Sequence, residues 1–337
     1  MRIGVNPLIW INDDKPELGA DVPLERCLSE ARAAGYAGIE LGHRFPRTER
    51  ELRPLLARHR LSLISGWYSA QLLERGAERE LARLVPHLQL LRAMRCDTLV
   101  LAETTGAVHR EARPLSRRPV LDRASWDRFV RELARLAEMV RAQGIRVAYH
   151  PHVGTVVQTP DEVDRLMHDT PDAVGLLLDT GHVAYATASA REGDAAIRAC
   201  IDRHGERIAH VHLKDVRDDV LARAIERDAP FLDAVCEGVF TVPGDGALGL
   251  EPAIAGLARR RYRGWLVVEA EQDPALAHPL TYAKLGFANA ARWVASWVRG
   301  ARRMRAPIVR ATTRRDRTGA RSSPTRAGHS RARRSRV

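Results

Sequence analysis

The chain alternates eight times between a short apolar run and a longer segment of helical periodicity. The apolar runs are residues 2–6, 37–41, 61–65, 97–102, 146–150, 174–179, 208–212 and 265–269. The helical segments are 22–34, 48–59, 76–94, 124–142, 160–168, 190–203, 250–260 and 277–298. Short apolar runs separated by amphipathic helices are the pattern of repeated βα units around a parallel sheet. Eight units fit a closed barrel better than an open doubly wound sheet. No G-x-G-x-x-G follows the first run and no phosphate-binding P-loop is present, which argues against the nucleotide folds those motifs mark. The expected fold class is α/β: a single (β/α)8 TIM barrel, which takes about 250 residues, over 1–298. The one long departure, 213–249, holds a helical stretch near 218–236 and the turn-rich VPGDGALG, and is expected to cap the barrel mouth.

The formal charge of +12 raises the question of a nucleic-acid partner, so its location matters. Residues 299–337 hold fourteen Arg and one acid, Asp316, leaving 40 basic and 41 acidic residues on 1–298. The folded part is thus near neutral. An Arg-rich segment with little apolar content beyond Ile308 and Val309 is expected to be a disordered tail. It is the only feature pointing to nucleic acid, and that partner is not expected for the barrel. Cys27, Cys96, Cys200 and Cys236 lack C-x-x-C spacing and read as reduced thiols. With no signal-peptide pattern and no apolar run long enough to span a bilayer, a soluble cytoplasmic protein without membrane association is expected. Homo-oligomerisation stays open.

Four phrases concentrate polar chemistry at the ends of the apolar runs: HPH at 150–152, DTGH at 179–182, HVHLKD at 210–215 and VEAE at 268–271. Strand period 2 places His150 on the face of small Ala148, His212 on that of His210 and Glu269 on that of Val267. Asp179 closes its own strand. In a TIM barrel the carboxyl ends of strands line the active site. His150 or His152, with Asp179, His212 and Glu269, therefore forms a candidate divalent metal centre of mixed N and O ligands. Asn6, Glu40 and Glu103 face the same mouth in this reading. Trp10 and Trp67 are candidates to pack on a sugar-like ring. Glu103 or Glu269 is a candidate base; His152, His182 or Lys214 is a candidate proton donor.

These phrases resemble the xylose-isomerase-like barrels, a group of sugar isomerases and epimerases that also includes endonuclease IV. The resemblance spans about 1–297. More closely, GVNPLIWINDD at 4–14, residues 17–46, YHPHVGT at 149–155, LLDTGH at 177–182, HVHLKDV at 210–216 and VVEAEQDP at 267–274 are similar to inosose dehydratases. That resemblance implies a lyase that dehydrates 2-keto-myo-inositol, a cyclitol, to a trihydroxycyclohexane-1,2-dione in inositol catabolism. It also implies Mn²⁺ or Co²⁺ as cofactor, and glutathione is associated with the family's activity. The alternative is a sugar or keto-sugar isomerase or epimerase of the same superfamily. Epimerases of that group end strand five with Glu, where this chain has His150. Losing that carboxylate suits a one-base elimination. Endonuclease IV draws extra metal ligands from strands three and four, where this chain offers Trp67 and Glu103.

Overall fold

A computed structural model describes residues 1–305, with side chains through Arg299. Its first half runs β1 (Arg2–Val5), α1 (Leu24–Ala34), β2 (Gly38–Leu41), α2 (Glu49–Arg58), β3 (Ser62–Ala70), α3 (Leu72–Ala93), β4 (Thr98–Glu103), α4 (Arg123–Arg141), β5 (Arg146–Tyr149) and α5 (Pro160–Asp169). The second half runs β6 (Val174–Asp179), α6 (Thr180–Ala186), α7 (Ala190–His204), β7 (Ile208–Leu213), β8 (Asp215–Val216), α8 (Asp218–Glu226) and α9 (Phe231–Cys236). It ends with β9 (Phe240–Thr241), α10 (Leu250–Arg259), β10 (Trp265–Val268) and α11 (Pro279–Arg305). Strands β1 to β7 and β10 pair in chain order and close, β10 against β1, into an eight-stranded parallel barrel. This is a (β/α)8 barrel. Among the described residues no helix is long and apolar enough to cross a membrane.

Helix ends follow local chemistry. Thr159 and Glu162 form a capping box at α5, with Pro160 in its first turn. Gly35 closes α1 in the left-handed conformation at φ 112°, open to glycine at little cost. The chain departs from the expected boundaries in four places. β3 runs on to Ala70, so Trp67 lies within a strand. A short helix, α6, begins directly at DTGH because Asp179 caps it by accepting from the His182 N–H. The stretch near 218–236 is two helices parted before Pro230. Helix α11 passes the expected boundary at 298 and continues to Arg305; the rest of the basic segment lies outside the described residues.

Inside the barrel, Val100, Ala148, Leu177 and Ala209 make a packed layer beneath Trp67. Ile64, Trp265 and Val267 fill the space nearer the base. Large side chains fit there because β1 and β2 contribute glycines to the same space. A Cβ on Gly4 would come within 2.2 Å of Ile64 Cδ1, and one on Gly38 within 3.0 Å of the Trp265 ring. The pairing register shifts between β2 and β3 and again between β6 and β7. At such shifts a strand gains a residue relative to its partner and re-aims its side chains. Ser65 and His210, next to these shifts, both reach the buried Glu40.

The fit at Gly4 generates a stability test. Gly4→Ala should destabilise the chain by about 1–3 kcal/mol through overpacking, measured by urea unfolding. Adding Ile64→Val deletes the offending Cδ1 and should recover most of that loss. An unchanged midpoint for Gly4→Ala would show that the barrel interior gives way more easily than its packing implies.

Candidate active site at the barrel mouth

Four strand ends converge at the mouth. His150 follows β5, Asp179 closes β6, His212 lies in β7 and Glu269 follows β10. His150 Nε2 lies 3.6 Å and His212 Nδ1 3.4 Å from Asp179 Oδ2. His212 Nδ1 is also 3.0 Å from Glu269 Oε2. The remaining ring and carboxylate atoms are committed elsewhere. His150 Nδ1 donates to the Pro151 carbonyl, 2.9 Å away, leaving Nε2 with a lone pair. Asp179 Oδ1 accepts from the His182 N–H, while its Oδ2 and His212 Nδ1 are buried without a hydrogen-bond partner. Two such atoms facing each other need a proton or a cation between them, since bare lone pairs would repel. Atoms about 2.0–2.2 Å from one ion sit roughly 3.0–3.5 Å from each other, close to the spacing here. The donor set therefore fits a divalent metal ion. Burial by itself would lower the His212 pKa, but Glu269 and Glu40 raise it well above the ordinary imidazole value, so this spot draws positive charge.

Beneath this group lies Glu40. Its carboxylate accepts from Asn6 Nδ2 at 2.6 Å, from Ser65 Oγ and from His210 Nε2 at 2.8 Å. It also lies 3.2 Å from His212 Nε2. A carboxylate behind an imidazole fixes its tautomer and directs the other nitrogen outward, as around bound metals. Burial would raise the Glu40 pKa, yet the two imidazoles hold it well below the usual carboxylate range.

Beside the group lies Lys214, fully buried. Its Nζ is 2.6 Å from Glu269 Oε1, 2.8 Å from Glu271 Oε1 and 3.5 Å from Asp179 Oδ2. His182 Nε2 is 3.2 Å from it. Burial would depress the ammonium pKa, but the three carboxylates raise it well above the ordinary value. Glu271 is pushed up to about 7, by burial first and Glu269 next, against the pull of Lys214. His152 donates from Nδ1 to the Val153 carbonyl at 2.8 Å and packs 4.0 Å, ring to ring, from His182. Phe231 of α9 covers both imidazoles. The segment 213–249 thus packs over this side of the site.

A cleft opens onto the group at His150 and Glu269. Of the residues singled out in the sequence, Asn6, Glu40, Trp67, His150, His152 and Glu269 line it. Asp179, His182, His212 and Lys214 do not; Lys214 and His182 stand behind Glu269 and Glu271, and Asp179 and His212 behind His150 and Glu269. Two expectations are corrected. Glu103 shares the outward parity of Leu99 and Leu101, which belong to the core between barrel and helices. Its carboxylate accepts from the backbone N–H groups of Leu72 and Thr105, so it is no base for this cleft. Trp10 is fully buried and donates its indole N–H to Glu30, so it offers no face to a ligand. Glu271, Asp13, Asp14 and Arg110 also line the cleft. Glu271 was legible as the second carboxylate of VEAE. The others sit in loops after β1 and β4, where periodicity carries no signal; an ion pair of Asp14 with Arg110, at 2.5 Å, joins the two loops.

The placement of Glu103 can be tested through pH. Burial pushes its carboxyl from 4.5 up to about 7, so the folded chain keeps a proton that the unfolded chain has already lost. Stability should therefore fall as pH rises from about 4.5 to about 7, by on the order of 3 kcal/mol, and level off above. Glu103→Gln should flatten that slope, followed by denaturation across pH, and leave turnover within a few-fold. Loss of turnover without a change in slope would restore Glu103 as a base.

Comparison with known proteins agrees with this geometry. Residues 28–297 match the Xylose isomerase-like TIM barrel family. The chain is 49% identical over 297 residues to the rhizopine catabolism protein MocC of Rhizobium meliloti, covering 88% of this chain and 89% of that one. It is 39% identical over 286 residues to the inosose dehydratase of Geobacillus thermodenitrificans, covering 84% and 94%. Among solved structures, the IolI protein with a bound zinc atom superposes with a TM-score of 0.60 at 14% identity, covering 88% and 99%, which shows the shared fold. Relatives at this identity over nearly their whole length make the chain an enzyme of the lyase class. It belongs to the xylose isomerase-like TIM barrel family, alongside the inosose dehydratases.

Proposed function

We propose that the chain is a metal-dependent hydro-lyase that removes water from 2-keto-myo-inositol, yielding a trihydroxycyclohexane-1,2-dione in inositol catabolism. The observation that carries this reading is the near full-length similarity to proteins named inosose dehydratase. The site supplies suitable chemistry. A divalent ion held by His150, Asp179, His212 and Glu269 would polarise the ketone and make the neighbouring C–H more acidic. Mixed imidazole and carboxylate ligands suit Mn²⁺ or Co²⁺. Glutathione enters only through family resemblance and is tested by adding it to the assay. The four cysteines are free thiols, in keeping with a reducing, cytoplasmic setting.

The residues of the cleft divide the proton transfers. With Nδ1 bonded to the Val153 carbonyl, His152 presents Nε2 as an acceptor and removes the proton from the carbon beside the ketone. Burial holds this imidazole well below its usual pKa, so it is neutral and accepts a proton rather than delivering one, the reverse of the donor role expected from the sequence. Glu271, the carboxyl pushed up to about 7, delivers a proton to the departing β-hydroxyl, which leaves as water. The α-carbon itself bears a hydroxyl, so the product is an enol that tautomerises to the dione. Asn6 and Glu40 offer polar contacts at the floor, and Trp67, packed edge-on against His150, walls one side for the cyclitol ring.

The decisive experiment joins metal analysis of the purified chain to an inosose dehydration assay. Asp179→Asn and His212→Ala should each lose bound metal and nearly all turnover. His152→Ala should keep the metal and lose about 10²–10⁴-fold in rate, the usual worth of a general base. Full metal occupancy in both ligand variants would sink the ligand assignment. In deuterated buffer the product should be the dione. An inverted ketose carrying solvent deuterium, with no dione, would replace the lyase by an epimerase.

A further inference from the structure

A lysine in an active site usually binds substrate or shuttles a proton. Lys214 is built for neither, because it is fully buried and does not line the cleft. It sits instead between two potential metal-binding groups. On one side are His150, Asp179 and His212, with Glu269; on the other are His152, His182 and Glu271. The ligand atoms of His152, His182 and Glu271 all lie within 4.8 Å of one another, as do those of His150, Asp179 and His212. The ammonium takes up the near sides of both, at 2.6 Å from Glu269, 2.8 Å from Glu271 and 3.2 Å from His182. Glu271 Oε2 remains buried without a partner.

The surroundings hold this side chain in place from every direction. Thr180 Oγ1 donates to the Lys214 carbonyl at 2.6 Å and accepts from its N–H at 2.9 Å. Gly181 lies against its stem, where a Cβ would come within 2.5 Å of Cγ and 2.6 Å of Cδ. The Phe240 ring lies 4.7 Å from Nζ. The phrase DTGH therefore supplies a metal-ligand candidate, a backbone anchor for Lys214, the space for its stem and a nitrogen facing its tip.

We propose that the Lys214 ammonium is a built-in cation occupying a second cation site formed by His152, His182, Glu271 and Glu269, and that it thereby limits the centre to one metal ion. The inference rests on the metal centre proposed above. A fixed ammonium neutralises the extra carboxylates as a second divalent ion would. It leaves Glu271 and His152 free of metal for proton transfer.

Metal stoichiometry tests this without reference to turnover. The wild-type chain, equilibrated with excess Mn²⁺ and freed of unbound ion, should hold one ion per chain. Lys214→Met, which removes the charge and keeps the stem, should hold two, and Lys214→Arg should hold one. Adding Glu271→Gln to Lys214→Met should return the count to one. If Lys214→Met is recovered only unfolded, refolding in excess Mn²⁺ should rescue it with two ions bound. No rescue at any Mn²⁺ concentration would overturn the proposal, as would one ion in the folded variant or two in the wild type. A wild-type chain that holds no ion defeats the metal centre itself, whereas one ion in both forms defeats only the role of Lys214.

Discussion

Four carboxylates, those of Glu40, Asp179, Glu269 and Glu271, are buried together at one end of the barrel. Each would cost several kcal/mol to desolvate alone, so the mouth holds together only if positive charge or donors reach every one. Lys214 serves three of them directly, and His210 and His212 serve Glu40. The ion pairs are formed between different strands, so each depends on barrel closure. Conversely, the barrel cannot close with these residues inward unless the charges are matched. Fold and site impose the same condition on one set of residues.

Closure in turn rests on size alternation lower down. Gly4 and Gly38 leave space for Ile64 and Trp265, so the base is solid and apolar. A solid base keeps the polar upper layer at the mouth, where loops and solvent reach only its outer side. The two register shifts then do what regular pleating cannot: they turn Ser65 and His210 toward Glu40. That carboxylate directs the His212 ring, which turns Nδ1 toward Asp179 and Glu269. A local irregularity in strand pairing therefore reaches the chemistry through two hydrogen bonds.

Loops complete the site in a different way. The segment between β7 and α10 is drawn in by Asp215, whose carboxylate accepts from the backbone N–H groups of Val216, Gly244, Gly246 and Leu248. From that segment Phe231 and Phe240 exclude water from His182 and Lys214. Low local polarity strengthens the ion pairs beneath. Thus the phrase HVHLKD contributes a ligand candidate, a buried cation and the latch for the cover above both.

Much of this was legible in the chain alone. Eight apolar runs with a period of 2 or near-continuous hydrophobicity dictate parallel strands under helices, and strand ends bearing His, Asp and Glu mark the catalytic face. Period also placed His150, His212 and Glu269 on the faces of Ala148, His210 and Val267, because alternation is a local property of a strand, while Asp179 was read only as closing its own strand. Glu103 was misread because the run was ended at residue 102, whereas pairing with Ala70 continues β4 through Glu103, which then keeps the outward parity of Leu99 and Leu101. Trp10 was misread because nothing in its neighbourhood in sequence reveals Glu30 on α1. The position of Lys214 between two ligand groups, and the meeting of Asp14 with Arg110, were decided by tertiary structure. Both join residues far apart in the chain, and which distant charges meet is set by barrel closure and loop packing, to which local periodicity is blind.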